Sequence, residues 1–265
     1  MRSVRKGLMT VPDTPADAVR AARVGGVLTG PSAARALGLW TPPDPVPGAP
    51  EPTSSEDEVP QRLHVAAARR NHRLRDPDDA SLPLGEREDV VVHRVDAARI
   101  AASRRTGTAP VLLVLQHVFL TMRPEWALAV LDSALHERHL HPVDLAVLAA
   151  LLPPRLRSIV DAADGRAESG LESIVRHLLR LAGLRVEILV GVRGAGTVDL
   201  VVEGRLIVEC DGKRWHTREQ AFENDRRRDL VTTTARYRTV RLTWFRVLFR
   251  WDEVEAAVFA ALATR

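Results

Sequence analysis

The sequence predicts an α+β protein in two parts, a mostly helical region at residues 1–164 and a mixed β-sheet flanked by helices at residues 165–265. Within residues 109–164, apolar residues recur at the spacing of amphipathic helices. From residue 185 onward, short alternating or wholly apolar runs are separated by Gly-containing turns, which is typical of strands. A chain of 265 residues is long enough for one or two domains with substantial cores.

Charge and cysteine content narrow the class of protein. The net charge is +4, and nearly all basic residues are arginines, Lys6 and Lys213 being the only lysines. This charge is compatible with a nucleic-acid partner but does not require one. The single cysteine, Cys210, excludes a disulfide framework, and together with the absence of a long apolar N-terminal run it predicts a cytoplasmic protein. The longest apolar run, residues 111–120, is too short to span a membrane.

The N-terminal region begins with two short helices, predicted at residues 17–24 and 31–39. A loop rich in Pro, Glu, Asp and Ser follows at residues 41–60 and is expected to be exposed and partly disordered. Residues 62–68 and 89–95 alternate enough to form short strands. A small bundle is then predicted from helices at residues 111–122, 124–136, 142–152 and 155–163.

Two groups of polar residues in this region are predicted to be solvated or structural rather than part of a binding site. The basic segment from Arg69 to Arg75 is expected to be a solvated loop, which we favour over a phosphate contact. His64, His72 and His93 lack metal-ligand spacing and cysteine partners, so they are predicted to be structural or surface residues.

The C-terminal region predicts the element order α-β-β-β-α-β-α. Its first helix starts at Ser169, where Ser169 and Glu172 have the spacing of a capping box, and ends at Gly183. The remaining elements are a strand at 185–190, two hairpin strands within 197–211, a helix at about 217–235, a strand at 238–243 and a closing helix at 252–262.

The register of the hairpin follows from its apolar pattern. A three-residue loop at 203–205 pairs Val202 with Leu206 and therefore Asp199 with Glu209. A two-residue loop would mix polar and apolar residues on both faces. In the chosen register one face carries only apolar residues, namely Val198, Leu200, Val202, Leu206, Val208 and Cys210. The other face carries Asp199, Val201, Ile207, Glu209 and Asp211.

Three carboxylates, those of Asp199, Glu209 and Asp211, thus meet at one end of a two-stranded patch. Carboxylates so close repel one another unless a cation lies between them or some are protonated. Hard oxygen ligands suit Mg²⁺ or Mn²⁺, which predicts a metal site. The alternative is a solvated strand face, although Val201 and Ile207 on the same face argue for its partial burial.

The stretch from Asp199, through nine residues, to Glu209-Cys-Asp211-Gly-Lys-Arg-Trp-His216 resembles the PD-(D/E)XK nuclease superfamily. It is more closely similar to the uncharacterised domain family numbered 559, relatives of the very-short-patch-repair endonuclease. The resemblance includes residues 168–172, 222–229 and 237–244 and covers roughly 165–262. One departure is Asp211, which stands where the superfamily name expects lysine.

The resemblance implies a role for each matching residue. The residues that it assigns to catalysis are Glu172, Asp199, Glu209, Asp211 and His216. Asp199 and Glu209 would ligate Mg²⁺ or Mn²⁺ with help from Asp211 or the Cys210 carbonyl, and Glu172 would point toward the metal from the first helix. His216 is expected to orient or deprotonate the attacking water.

Four further residues are predicted to contact or support the substrate. Lys213 or Arg228 would neutralise the scissile phosphate. Trp215 would stack on bases, with a core position as the alternative. Asp225 shares a helix face with Arg228, which a surface ion pair also explains.

Residues 25–40 resemble a leader segment found ahead of many such nuclease-like domains, similar to the winged-helix part of the abortive-infection type IV antitoxin. No basic recognition helix is evident here, so packing is the expected role.

The resulting expectation is a metal-dependent endonuclease that hydrolyses nucleic acid, with DNA as the expected substrate, in repair or defence. Two alternatives stay open. The domain binds nucleic acid without cutting it, as an antitoxin-like regulator, or it acts as a protein-interaction partner in a defence locus, where a homodimer also fits. No membrane association is expected.

Overall fold

The computed structural model describes residues 2–5, 8–10, 14–51, 57–192, 196–211 and 237–264. The chain divides into two compact units. The first unit contains residues 1–51 and 58–161, and the second unit contains residues 162–265. No helix in these described ranges has both the length and the apolar character needed to cross a membrane.

The first unit contains two small sheets. Strands β1 (Arg2–Arg5) and β2 (Leu8–Thr10) form an antiparallel pair that the sequence did not predict. Strands β3 (Val27–Leu28), β4 (Leu63–Ala68) and β5 (Val90–Val95) form a three-stranded sheet in that order. In this sheet β3 is antiparallel to β4, and β4 is parallel to β5. The predicted strands at 62–68 and 89–95 are therefore confirmed.

Six α-helices accompany these sheets within the described part of the first unit. They are α1 (Ala16–Val24), α2 (Gly30–Ala36), α3 (Val111–Thr121), α4 (Pro124–His136), α5 (Leu145–Leu151) and α6 (Pro154–Asp161). Helix α1 ends at Gly25, which has a φ of 103°. This left-handed conformation lets the chain turn back, and the Gly25 N–H donates to the Ala21 carbonyl. Helix α3 is buried over most of its surface, as its apolar sequence predicts.

The expectation of an exposed loop at residues 41–60 is wrong at Asp44. Its side chain is buried, with the residue 6% exposed, and it accepts hydrogen bonds from Arg62 and interacts with His64. A buried carboxylate is tolerable only when such partners are present. Their distance along the chain hides this arrangement from sequence reasoning.

The second unit is built on one mixed sheet of four strands. Its elements are α7 (Gly170–Leu181), β6 (Val186–Val192), β7 (Gly196–Val202), β8 (Leu206–Asp211), β9 (Arg238–Thr243), α8 (Trp244–Phe249) and α9 (Trp251–Ala263). The strands lie in the order β6-β7-β8-β9, antiparallel up to β8 and parallel between β8 and β9. The predicted α+β class is confirmed, whereas the helix predicted at 217–235 lies outside the described residues.

The hairpin of β7 and β8 has the predicted register. Val202 pairs with Leu206, Val201 with Ile207, and Leu200 with Val208. The face predicted to be apolar is buried throughout. Val201 and Ile207 on the opposite face are also buried, so the sheet is covered on both sides along this part of the hairpin. The carboxylates occupy the end of the hairpin that lies away from the turn.

Candidate functional site

Asp199 and Glu209 are brought together by the pairing of β7 with β8. Asp199 comes directly before Leu200, and Glu209 directly after its partner Val208. The Asp199 Oδ2 atom accepts a hydrogen bond of 2.8 Å from the backbone N–H of Cys210. This bond fixes the rotation of the Asp199 carboxylate beside β8. Both acidic residues are half-buried, whereas Asp211 at the end of β8 is exposed.

Glu172 reaches the same place from α7. The Ser169 Oγ atom accepts a bond from the Glu172 N–H at 3.3 Å, and Glu172 Oε2 accepts one from the Glu168 N–H at 3.0 Å. The predicted N-cap at Ser169 is therefore confirmed, but the predicted capping box is not, because the Glu172 carboxylate accepts from the Glu168 N–H instead of the Ser169 N–H. Glu172 is also only 4% exposed. Burial raises the pKa of its carboxyl to about 6, and the negative charge of Asp199 contributes to the rise.

The thiol of Cys210 marks where the acids converge. Burial raises its pKa far above the ordinary value, and four carboxylates raise the pKa further, those of Asp199, Glu172, Asp211 and Glu209. A thiol in this environment stays protonated at neutral pH and is neither a nucleophile nor a metal ligand. The charges of acidic groups from α7, β7 and β8 therefore all act on this thiol.

Arg241 is a neighbour of this site to which the sequence assigned no role. It pairs with Glu209 in the parallel ladder of β8 and β9, and its Nε atom lies 3.8 Å from Glu209 Oε2. The Arg241 side chain is 40% exposed and that of Glu209 18%, so this cation faces both the acid and the solvent. Its position depends on the pairing of strands separated in sequence.

The strand on the other side of Asp199 has an irregular backbone. Ile188 pairs with Leu200 and Val190 with Val198, which places Leu189 opposite Asp199. Leu189 has a φ of 50°. A left-handed conformation in a non-glycine residue costs roughly 1–3 kcal/mol and is found preferentially at functional sites. This irregularity in β6 lies opposite Asp199.

The described acids supply carboxylate oxygens but not, by themselves, a group of metal ligands. Their carboxylate oxygens are the ligands that Mg²⁺ and Mn²⁺ prefer. Within the part of the chain that the structure describes, however, no group of three or more His, Cys, Asp or Glu side chains is arranged to hold a metal ion. The other predicted site residues, namely Lys213, Trp215, His216, Asp225 and Arg228, lie outside the described residues.

A second polar cluster in the first unit was missed by sequence reasoning. His64 Nε2 lies 2.6 Å from Asp44 Oδ2, and His64 Nδ1 lies 3.0 Å from His93 Nε2. His117 Nδ1 lies 2.7 Å from the Thr29 hydroxyl. Because Asp44 is a carboxylate, His64 donates to it through Nε2, and a hydrogen bond joins His64 Nδ1 to His93 Nε2.

Ring stacking joins the two halves of this cluster, which we call the histidine cluster (Asp44, His64, His93, His117). The rings of His93 and His117 are 4.0 Å apart between centroids and inclined by 18°. Burial, reinforced by unfavourable electrostatic interactions with His117 and His64, lowers the pKa of His93 to about 3, and burial and Arg99 lower the pKa of His117 to about 4. Burial opposes ionisation of Asp44, but bonds from His64 and Arg62 outweigh it and lower its pKa.

His64 and His93 were predicted to be structural or surface residues. In the structure they contact each other within the interior of the first unit. His64 and His93 are 29 positions apart in the sequence, and Thr29 and His117 are 88 positions apart. Contacts over such separations leave no signal in local sequence spacing.

Comparison with known proteins gives no match to any family model, curated protein or solved structure. The nuclease resemblance read from the residues between 165 and 262 therefore stays a prediction.

Proposed function

We propose that the second unit is a metal-dependent nuclease of the PD-(D/E)XK type. The observation that carries this proposal is the pairing of β7 with β8, which brings Asp199 and Glu209 to the same end of the hairpin, with Asp199 bonded to the Cys210 N–H. The order α7-β6-β7-β8, followed by β9 parallel to β8, agrees with the core expected of that superfamily.

A divalent cation suits this arrangement for electrostatic reasons. At neutral pH Glu172 is mostly ionised, since its pKa is about 6, and it adds negative charge beside Asp199. Asp199 and Glu209 would hold the ion, with Asp211 or the Cys210 carbonyl as further oxygen ligands. A bound Mg²⁺ or Mn²⁺ supplies an acidified water and stabilises negative charge on the phosphate.

The chain's own residues would bind and orient the substrate. Arg241, half-exposed beside Glu209, is placed to attract a phosphate oxygen and to hold the Glu209 carboxylate in position. Glu172, with a pKa of about 6, exchanges a proton readily near neutral pH. In hydrolysis a water oxygen attacks phosphorus, the bond from phosphorus to the leaving oxygen breaks, and the water gives up a proton. His216 is the proposed acceptor of that proton.

The runner-up function is nucleic-acid binding without cleavage, as in an antitoxin-like regulator. The net charge of +4 is compatible with it. The acids argue against it, because in the absence of a cation they repel phosphate and binding alone has no use for them.

Cleavage should depend on a divalent metal. We expect the purified chain to cut at least one form of nucleic acid with Mg²⁺ or Mn²⁺ and none in EDTA. The substrates to compare are single-stranded, duplex, nicked and mismatched DNA, and RNA, with products resolved on denaturing gels. Failure to cut every form with both metals, while a gel shift still shows binding, would replace the nuclease by the binding-only function.

Mn²⁺ should also raise the thermal stability of the second unit. A ligand that binds only the folded state at ten times its dissociation constant stabilises it by about 1.4 kcal/mol. Melting curves with and without millimolar Mn²⁺ measure this, and Asp199→Asn should remove the shift. Asp252→Asn, which neutralises an exposed aspartate of α9, is the matched control and should keep it. Unchanged melting and no calorimetric heat, with and without nucleic acid, would contradict metal binding.

A further inference from the structure

Exposed arginines of the first unit gather at one edge of its three-stranded sheet. We call this surface the basic edge; its members are Arg69, Arg70, Arg73, Arg94, Arg104 and Arg105, all of them exposed. The first three follow β4, Arg94 is next to last in β5, and the last two lie at the end of the 3₁₀ helix Ala102–Arg104 and just after it.

The parallel pairing of β4 with β5 brings the first four arginines together. Ala68 pairs with Val95, so both strands end at the same edge. The N–H of Arg69 donates to the Val95 carbonyl at 2.8 Å. Arg94 Nη1 donates to the Asn71 carbonyl at 2.6 Å, which holds its guanidinium against the loop after β4.

The pairing of β3 places the other two arginines at this edge. Because β3 is antiparallel to β4, the residues before Val27 lie beside the end of β4. Thr108 forms a parallel bridge with Leu28, and the Leu28 N–H donates to the Gly107 carbonyl at 2.8 Å. The residues before Thr108, Arg104 and Arg105 among them, therefore run toward the same edge.

The charge of the basic edge is nearly all of one sign. Segments 69–75 and 94–108 contain eight arginines and one acid, Asp96. Asp96 Oδ1 lies 3.6 Å from Arg69 Nε, but both side chains are largely exposed, at 75% and 69%. Such a pair is screened by water and salt and neutralises the edge weakly. The two arginines of these segments that are not part of the basic edge are Arg99, which donates to Gln116, and Arg75, which donates to the Ser81 carbonyl.

We propose that the basic edge docks the phosphate backbone of a nucleic acid. Three inter-strand steps of about 4.8 Å give an edge roughly 14 Å wide, about the length of four base pairs at 3.4 Å each. Arginine forks bind phosphate oxygens in pairs, which favours this partner. This inference rests on the proposed function, because it assigns affinity for that substrate to the first unit.

The chemistry of the edge favours nucleic acid over an anionic membrane. A membrane-binding surface combines cations with large apolar side chains that enter the lipid. The large exposed apolar residues of the described chain are Leu82, Leu120, Val143, Val147, Leu181 and Phe259, and none of them belongs to segments 69–75 or 94–108. The edge is also not a recognition helix, so we expect binding with little sequence preference.

The test compares two double variants that each remove two exposed arginines of the first unit. Arg104→Gln with Arg105→Gln alters the basic edge, and Arg155→Gln with Arg157→Gln alters α6. Binding of a fluorescent DNA duplex is measured by anisotropy in EDTA over a range of NaCl concentrations. We expect the edge variant to bind roughly tenfold more weakly and its salt dependence to fall by about 1 to 2 in log–log slope, since each lost phosphate contact contributes about 0.9.

The control variant should keep the affinity and slope of the wild type. An equal loss in both variants, or an unchanged slope in the edge variant, would show that net charge alone acts and would overturn the proposal. Tight, edge-dependent binding to vesicles with anionic lipid but not to DNA would replace nucleic acid by a membrane. Because binding is measured in EDTA, a protein that binds through the edge and never cleaves would refute only the nuclease.

Discussion

Asp199→Asn should abolish metal-dependent cleavage and leave the affinity for nucleic acid equal or higher. Loss of a charged ligand removes several kcal/mol of stabilisation from the chemical step, which corresponds to roughly a thousandfold or greater loss of rate. In the absence of the ion the same carboxylate repels phosphate, so its neutralisation favours binding. The asparagine oxygen can still accept the bond from the Cys210 N–H, so the fold should survive.

Rate and affinity are measured separately, by single-turnover cleavage and by anisotropy in EDTA. The matched control is again Asp252→Asn, the same substitution at an exposed position of the second unit, which should cut like the wild type. Equal cutting by wild type and Asp199→Asn would indicate a contaminating nuclease. Equal cutting after separation from any contaminant would show that Asp199 has no part in the reaction.

The same variant has a readout that does not depend on activity. The negative charge of Asp199 contributes to the raised pKa of Glu172, so the pKa of Glu172 should fall when Asp199 is neutralised. Carbon-detected NMR titration of the glutamate carboxyls measures it. An unchanged pKa would mean that Asp199 and Glu172 do not interact, and it would remove the main evidence for convergence.

Sequence reasoning reached the hairpin because its information is local. A period of two and a short turn are enough to pair Val202 with Leu206, and a slip by one residue would have exposed an entire apolar face. The position of Arg241 beside Glu209 was not accessible in this way. It requires the parallel pairing of β8 with β9, whose connecting segment holds no pattern that fixes a register.

The histidine cluster illustrates the same limit in the first unit. His64 alternates in a strand pattern, and His117 sits in an apolar helix, so each residue separately suggests only core packing. They belong to one cluster because His93 of β5 contacts both His64 of β4 and His117 of α3, while Asp44 contacts His64. Such a loop, rich in Pro and acids, has the composition of an exposed segment, and composition does not reveal a single buried carboxylate.

The first unit should lose stability steeply as the pH falls from about 6.5 toward 4. His93 and His117 have pKa values of about 3 and about 4 in the folded chain, below the unfolded value near 6.5. As the pH falls, these two histidines therefore take up protons at a higher pH in the unfolded chain than in the folded chain. The stabilisation is complete above pH 6.5 and shrinks as the pH falls, by roughly 2 kcal/mol for each histidine at pH 5. The lowered pKa of Asp44 adds a further loss only below about pH 4.

Urea denaturation at pH 7, 6 and 5 measures this slope, and His93→Gln with His117→Asn tests its origin. Glutamine keeps an amide group that can hydrogen-bond to His64 in place of His93, and asparagine can replace the nitrogen of His117 that contacts Thr29, but neither amide titrates. We expect the double variant to be less stable at pH 7, because ring stacking is lost, and to have a flatter pH dependence. His72→Gln with His139→Asn changes two exposed histidines and should keep the wild-type slope. An unaltered slope in the cluster variant would mean that other groups cause the acid sensitivity.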